Sequence, residues 1–144
     1  MKTRELSPLF NVADMQASLA FYVDGLGFEL REEYELEGET LWVALQSGDA
    51  KIMLNRATAE DGAAISKRRR AAPSYSGLVL YLYVDDARAA HAELSAAGLD
   101  PGEVEQEEYG LEEFYLRDPD GYEIGVGSPL PPWVRGHIPT EEES

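Results

Sequence analysis

Hydrophobic and polar positions along the chain predict two blocks of the same design. In the first block, a strand-like run from Leu6 to Val12 precedes Asp14, whose side chain is expected to cap a helix. The helix ends at glycines 25 and 27, and its apolar positions recur with helical spacing: Met15, Leu19, Tyr22, Val23 and Leu26. Three strand-like runs follow, Phe28 to Leu36, Thr40 to Gln46 and Lys51 to Asn55. The pattern predicts a βαβββ module.

The second block repeats this order. It predicts a strand from Leu78 to Val84, a cap at Asp85-Asp86 and a helix that ends at Gly98. Three strands are expected after it: Glu103 to Glu107, Glu113 to Arg117 and Tyr122 to Gly127. Matching positions lie about 72 residues apart, among them Val12 and Val84, Asp14 and Asp86, Leu45 and Leu116, and Ile52 and Ile124. We therefore interpret the chain as a duplicated module.

These blocks define four predicted segments. They are a first module over 1–55, an inter-module linker over 56–77, a second module over 78–128 and a Pro/Glu-rich tail over 129–144, with the two modules forming one domain. The linker contains Lys67 to Arg70, which is a candidate phosphate or carboxylate site. The favoured interpretation of this run is a solvated linker face that pairs with acidic surfaces. The tail contains Trp133, which could dock it on the rest of the chain.

Charge and composition narrow the range of partners. The 144 residues include 12 Lys+Arg and 28 Asp+Glu, which gives a formal charge of −16, so the chain is a poor partner for nucleic acid and a possible one for cations. There is no cysteine, which removes disulfides and thiolate chemistry. No secretion signal and no apolar run long enough to span a membrane is visible, so we expect a cytoplasmic protein.

Two motif regions resemble a known family. The segments from Asn11 to Phe28 and from Asp118 to Ile124 are similar to those of the glyoxalase / bleomycin-resistance / extradiol-dioxygenase superfamily, also called vicinal oxygen chelate proteins. The likeness covers roughly Leu6 to Ser128. It implies an α+β fold in which tandem βαβββ modules have curved mixed sheets that enclose a cavity, with helices packed outside. It also implies a homodimer.

The resemblance also locates four metal-ligand positions. Enzymes of this superfamily hold a divalent metal with His and Glu side chains on the first and last strand of each module. The corresponding positions here are Ser7, Met53, Val79 and Gly125, none of which is a credible ligand for such a metal. We therefore expect no metal and no cofactor. Of the two histidines, His91 is expected to pack on a helix and His137 lies in the tail.

Strand alternation then predicts the residues that line the cavity, because successive side chains point to opposite faces of a sheet. The predicted ligand-binding residues are Asn11, Trp42, Met53, Tyr81, Tyr83, Glu113, Tyr115 and Glu123. The aromatic rings offer stacking faces, and the carboxylates attract positive charge. The alternative interpretation is that strand tyrosines serve packing and that the many acids serve solubility.

Three functions are compatible with this pattern. The favoured one is metal-free binding of a cationic or aromatic small molecule, such as an antibiotic or a metabolite, as in the bleomycin-resistance branch that the chain resembles. The alternative is a lyase, isomerase or dioxygenase with a non-standard metal site, in which Glu113 or Glu123 would act as acid or base with Tyr81 or Tyr83 as donors. A third, regulatory or protein-interaction role rests on Lys67 to Arg70 and the Trp133 tail.

Overall fold

The computed structural model describes residues 1–130 and has an α+β fold. The predicted tail from residue 131 onward, with Trp133 and His137, lies outside the described residues. The elements in chain order are β1 (Leu9–Val12), α1 (Met15–Leu19), a π-helical segment (Ala20–Gly25), β2 (Glu29–Leu36), β3 (Glu39–Ser47), β4 (Ala50–Arg56), α2 (Ala59–Ala71), β5 (Val79–Tyr83), α3 (Ala87–Ala96), β6 (Glu105–Gln106), β7 (Leu111–Arg117) and β8 (Glu123–Pro129).

The strands form two open, mixed sheets with the same topology. Their orders are β1-β4-β3-β2 and β5-β8-β7-β6. In each sheet the first strand pairs in parallel with the last strand of its module, and the remaining pairs are antiparallel. The α+β class and the duplicated βαβββ order predicted from the sequence are confirmed.

The helix boundaries repeat as well. Asp14 Oδ1 accepts a hydrogen bond from the Ala17 backbone N–H at 3.1 Å, and Asp86 Oδ1 accepts one from Ala89 at the same distance. Both aspartates therefore satisfy a free N–H in the first turn of their helix. Gly27 follows the first helix with a φ of 82°, and Gly98 follows the other with a φ of 86°. Glycine adopts this backbone conformation without the penalty that a Cβ would bring.

The chain divides into two compact units, each with its own core. The first unit is residues 1–76 together with 118–122, and the second is 77–117 together with the chain from residue 123. Alternate strand residues build each core, as the predicted period of two requires. The buried hydrophobic residues of the strands are Phe10, Val12, Val43, Leu45, Ile52 and Leu54 in the first unit, and Phe114, Leu116, Ile124 and Val126 in the second.

Several predicted strand boundaries were wrong. β1 begins at Leu9 and not at Leu6, although the Pro8 carbonyl still accepts a hydrogen bond from Met53 N at 2.8 Å. β6 contains only two residues, and β8 continues to Pro129. Leu78 was predicted to begin the first strand of the second module, but it precedes β5 and is 60% exposed. Such shifts are expected where a strand end lacks partners on either side.

The predicted linker contains a helix that the hydrophobic pattern did not reveal. Thr58 caps α2 by accepting from Asp61 N at 3.1 Å, and acidic residues in the first turn and arginines in the last turn complement the helix dipole. Gly62 is the buried position of α2, and a Cβ built there would lie 2.9 Å from Ala13 Cα. A helix that buries a glycine rather than an apolar stripe gives no amphipathic signal.

Across residues 1–130, no helix is both long and apolar enough to span a membrane.

Candidate functional site

One face of the second sheet carries most of the predicted ligand-binding residues. Strand register aligns them in three rows across β5, β8 and β7: Val79, Glu123 and Arg117; Tyr81, Gly125 and Tyr115; Tyr83, Gly127 and Glu113. Because the rows are two residues apart along each strand, their side chains share one face of the sheet. We call this surface the tyrosine face, defined by Tyr81, Tyr83, Glu113, Tyr115 and Glu123.

Two glycines on β8 let tyrosine rings lie against the sheet. A Cβ built at Gly125 would come within 2.8 Å of ring carbons of both Tyr81 and Tyr115, and one built at Gly127 would lie 2.8 Å from Tyr81 Cζ. Larger residues at either position would therefore displace the rings. The ring centroids of Tyr81 and Tyr83 are 4.9 Å apart, and those of Tyr81 and Tyr115 are 6.5 Å apart. The rings are inclined to each other and do not stack flat.

Glu113 is a buried carboxylate held by two tyrosine hydroxyls. Its side chain is only 2% exposed, Tyr81 donates to Oε2 at 2.5 Å, and the Tyr109 hydroxyl donates to Oε1. Among residues 1–130, no Lys, Arg or His side chain forms an ion pair with Glu113. Burial, followed by the hydrogen bond to Glu113 and its charge, raises the pKa of Tyr81 well above its ordinary value.

Glu123 has a different environment on the same face. It lies opposite Arg117 in the register, and the Arg117 guanidinium is 3.5 Å from Glu123 Oε2. Glu123 is therefore charge-compensated, whereas Glu113 is stabilised by neutral donors. Sequence reasoning missed Tyr109, because this residue lies in the β6–β7 loop where strand alternation assigns no face.

The other three predicted residues lie on the equivalent face of the first sheet. Asn11, Asn55 and Trp42 form one row, and Leu9, Met53 and Ala44 form the next. Asn55 Nδ2 donates to Asn11 Oδ1 at 3.2 Å. A cavity of about 260 Å³ opens on this face, and its lining includes Ser7, Arg31, Trp42, Lys51 and Met53. Within its unit, the structure thus brings Trp42 and Met53 to one cavity.

The residues at the four family metal positions do not fit a divalent metal. Ser7 and Met53 line the same cavity but offer a hydroxyl and a thioether. Val79 offers no donor, and the rings of Tyr81 and Tyr115 cover Gly125. In the part of the chain that the structure describes, no three His, Asp or Glu side chains converge into a group able to hold a metal ion. This donor set lacks the imidazoles and carboxylates that such a centre requires.

A second set of buried carboxylates lies in the turn that joins β7 to β8, which packs within the first unit. Asp118 accepts from the Tyr22 hydroxyl at 2.8 Å and from the backbone N–H groups of Asp120 and Tyr122. Burial raises the pKa of Asp118 to about 6, against the lowering effect of these hydrogen bonds. Asp120 accepts from the Ala13 backbone N–H and from the Ser66 hydroxyl on α2.

The basic run Lys67 to Arg70 lies in the last part of α2, beside this turn. Arg70 donates to the Pro119 carbonyl. Burial raises the pKa of Tyr122, and the charges of Arg69 and Arg68 act against this rise. The run therefore contacts the backbone of the buried turn and complements the C-terminal end of its own helix. This geometry favours the structural interpretation of the run over an anion site.

A further cavity of about 390 Å³ lies on the helix side of the second sheet, lined by Arg88, His91, Pro101, Glu103 and Val104. Two of its polar side chains, Arg88 and His91, already have partners. Arg88 Nε is 3.0 Å from Glu112 Oε1, His91 Nε2 is 3.0 Å from the Gly102 carbonyl, and the His91 ring packs edge-on against Phe114. His91 is a helix-packing residue, as the sequence predicted.

Comparisons with known proteins agree with this architecture. The family model described as Glyoxalase/Bleomycin resistance protein/Dioxygenase superfamily matches residues 6–126. Among solved structures, TnmS3, an antibiotic binding protein from a Streptomyces species, is 22% identical with a TM-score of 0.64 over 90% of this chain and 98% of its own. A search of the curated proteins gave no significant match.

Two other solved structures show the range of proteins that share the fold. A bleomycin-binding protein complexed with bleomycin is 21% identical, with a TM-score of 0.62 over 88% of this chain and 98% of its own. A lactoylglutathione lyase from Agrobacterium tumefaciens is 19% identical, with a TM-score of 0.60 over 88% of this chain and 95% of its own. At these identities the likeness establishes the fold alone, because binding proteins and an enzyme are equally similar.

Proposed function

We propose that this chain, which belongs to the Glyoxalase/Bleomycin resistance protein/Dioxygenase superfamily, is a metal-free protein that sequesters a cationic or aromatic small molecule, such as an antibiotic or a metabolite. The observation that carries the proposal is the tyrosine face, where three inclined rings share one side of the sheet with a buried carboxylate that has no cationic partner among residues 1–130. Aromatic faces attract flat rings and cations, and a buried charge favours a ligand of opposite sign.

The comparisons support the ligand class without establishing it. One similar structure is described as an antibiotic binding protein and another contains bleomycin. The formal charge of −16 favours the approach of a cation, because the summed field of an acidic protein concentrates positive ligands near its surface. Both points are consistent with sequestration of a basic drug.

The proposed contacts include all eight residues predicted from the sequence. Tyr81, Tyr83, Glu113, Tyr115 and Glu123 would contact ligand from the second sheet. On the first sheet, Trp42 and Met53 would contact it from the cavity, and Asn11 from the same face beside Asn55. We propose no reaction, because Glu123 is paired with Arg117 and no observation favours Glu113 as a proton-transfer group. The enzymatic alternative therefore has no specific support.

We also propose that the protein is cytoplasmic and forms a homodimer. β2 is an outer strand of the first sheet, and it exposes Leu30, Tyr34 and Leu36. Exposed apolar residues on an outer strand favour pairing with another copy. Sedimentation velocity should give about twice the mass of the chain. A monomer at micromolar concentration would contradict the dimer and leave the binding proposal intact.

A thermal-shift titration of the metal-stripped protein tests the function. We expect metal-free bleomycin or another cationic aromatic drug to raise the melting temperature, since a ligand that binds only the native state stabilises it. Divalent Ni, Zn, Fe and Mn salts are expected to give no shift. A shift with a metal alone would contradict the proposal and direct attention to an enzyme.

Matched variants connect any binding to the tyrosine face. Tyr81→Ala removes a ring that lies over Gly125 and Gly127 and should abolish the drug-induced shift. Leu6→Ala removes an exposed side chain that precedes β1 and serves as the control. If both variants respond to the drug like the unmodified protein, the binding surface lies elsewhere on the chain.

A further inference from the structure

We propose that the tyrosine face selects ligands by the direction of its hydrogen bonds, accepting N–H donors of a cationic group and rejecting anionic acceptors, and that Glu113 is the positioning residue that sets this direction. The inference rests on the proposed function. It narrows the ligand to a compound that joins an aromatic ring to an ammonium, amidinium or guanidinium group.

The direction follows from the hydrogen-bonding capacity of each group. A carboxylate can only accept, whereas a tyrosine hydroxyl has one proton and two lone pairs. Tyr81 and Tyr109 each point their hydroxyl at an oxygen of Glu113, so each uses its proton there. The hydrogen-bonding capacity left on the Tyr81 oxygen is that of an acceptor. A ligand that meets this oxygen must therefore bring the donor.

Burial and the neighbouring Glu113 carboxylate both oppose ionisation of Tyr81. Loss of the Tyr81 proton would place a second negative charge beside Glu113 in a partly buried position, and both effects raise the pKa of this hydroxyl. Tyr81 therefore stays neutral and remains a donor to Glu113 over the physiological pH range. Its oxygen is polarised by the adjacent carboxylate, which strengthens it as an acceptor.

Charge complementarity favours a cation over a neutral donor. Arg117 lies on the same face, but its guanidinium is directed to Glu123 at 3.5 Å and not to Glu113. Register also places Glu105 of β6 directly opposite Glu113, which adds a second negative group on this side of the sheet. Tyr83 and Tyr115 lie next to the Tyr81 ring on the same face, and aromatic ring faces stabilise a cation. A carboxylate or phosphate would meet lone pairs and negative charge at the same place.

Calorimetric titration with matched probes tests the selectivity on the full chain. The probes are 2-naphthylmethylammonium, 2-naphthylmethanol and 2-naphthoate, which share one ring system and differ in the polar group. We expect the ammonium to bind at least about tenfold more tightly than the carboxylate, with the alcohol between them. Equal affinity for ammonium and carboxylate would overturn the inference while leaving aromatic-ligand binding, and thus the proposed function, in place.

The variant Glu113→Gln tests the role of Glu113. In this variant the buried charge disappears. The glutamine amide donates a hydrogen bond to one of the two tyrosine oxygens, and the hydroxyl of that tyrosine must then direct its proton toward the ligand. The ammonium-to-carboxylate preference should fall by about tenfold. Tyr81→Phe removes the selective oxygen without altering the buried residue, so it should cause a similar fall and carries the test if Glu113→Gln does not fold. Tyr75→Phe, at an exposed position between α2 and β5, is the control.

An alkaline titration of tyrosine absorbance provides a readout that a merely structural role would not change. Burial raises the pKa values of Tyr22, Tyr81 and Tyr122, so the unmodified protein should contain several tyrosines that ionise above the ordinary range. The ionisation that is missing in Tyr81→Phe belongs to Tyr81, and Glu113→Gln should lower the pKa of that step alone. An unchanged titration together with an unchanged probe preference would overturn the assignment of Glu113. If none of the probes binds the unmodified protein but a drug in the thermal-shift panel does, donor selection at this face is wrong while sequestration stands. If neither probes nor drugs bind, both proposals fail.

Discussion

The two sheets have one topology and one register, yet their equivalent faces have different chemistry. On the first sheet, Leu9, Met53 and Ala44 form the middle row, and a cavity opens beside Trp42. On the second, the same row is Tyr81, Gly125 and Tyr115, and the rings cover the sheet. Side-chain size on the central strand accounts for the difference. Glycine on β8 gives space to neighbouring rings, whereas Met53 and Asn55 fill the corresponding positions on β4.

The hairpin turns of the two modules also share one position in the fold and differ in the burial and chemistry of their side chains. The turn between β3 and β4 is exposed and contains one aspartate, Asp49. The equivalent turn between β7 and β8 is buried within the first unit, where Asp118 and Asp120 bind Tyr22, Ala13 and Ser66. Duplication thus preserved the backbone of both modules, while burial changed the chemistry of one turn and one face.

The largest expected effect concerns the buried turn. The folded-state pKa of Asp118 is about 6 and its ordinary value is 3.8, so the protonated form is favoured in the folded protein. Its contribution to stability is full below pH 4 and is lost as pH rises through 6, a change of about 3 kcal/mol in the free energy of unfolding. Asp118→Asn should lose this dependence while keeping the two backbone hydrogen bonds.

Urea unfolding from pH 4 to 7 measures this difference. The two proteins should have similar stability at pH 4, and the variant should be the more stable at pH 7. Asp49→Asn, in the exposed turn of the other module, is the matched control and should follow the unmodified protein. Parallel curves for the unmodified protein and Asp118→Asn would contradict the raised pKa.

The second-largest expected effect comes from a substitution that gives the tyrosine face a residue found on the equivalent face of the first sheet. Gly127→Asn introduces the residue that stands at the equivalent position, Asn55, and its Cβ would lie 2.8 Å from Tyr81 Cζ. The Tyr81 ring must move, which separates its hydroxyl from Glu113 and should cost about 1–3 kcal/mol of stability. Probe binding on this face should be lost. The reciprocal change Asn55→Gly should cost about 1 kcal/mol or less, from backbone freedom and one exposed hydrogen bond. Equal costs for both changes would contradict our explanation of the difference between the faces.

The smallest predicted effect lies in the helices. Ser18 is fully buried on α1, and its hydroxyl has no hydrogen-bond partner within the described part of the chain, whereas the equivalent position on α3 is Ala90. Ser18→Ala should therefore raise the free energy of unfolding by about 1 kcal/mol, because a buried hydroxyl without a partner is costly. Thermal unfolding measures it. A loss of stability would indicate that the hydroxyl has a partner in solution.

Sequence patterning predicted the fold better than the site. Caps, glycines and the period of two determined both modules, because each depends on neighbouring residues. The same alternation brought Tyr81, Glu113 and Tyr115 to one face. It could not reveal Tyr109, the role of Gly127 as space for a ring, or the burial of Asp118, because each depends on contacts between residues that are distant in sequence or lie in loops. α2 was missed because its buried position is a glycine.

The central claim is that the tyrosine face binds a cationic aromatic compound without a metal. The most direct test is an NMR titration of the metal-stripped protein with 2-naphthylmethylammonium, following the backbone amides of both sheets. Our account predicts the largest shift changes at Tyr81, Glu113, Gly125 and Gly127, and their loss in Gly127→Asn. Saturable changes that spare β5, β7 and β8, or no changes until a divalent metal is added, would contradict it.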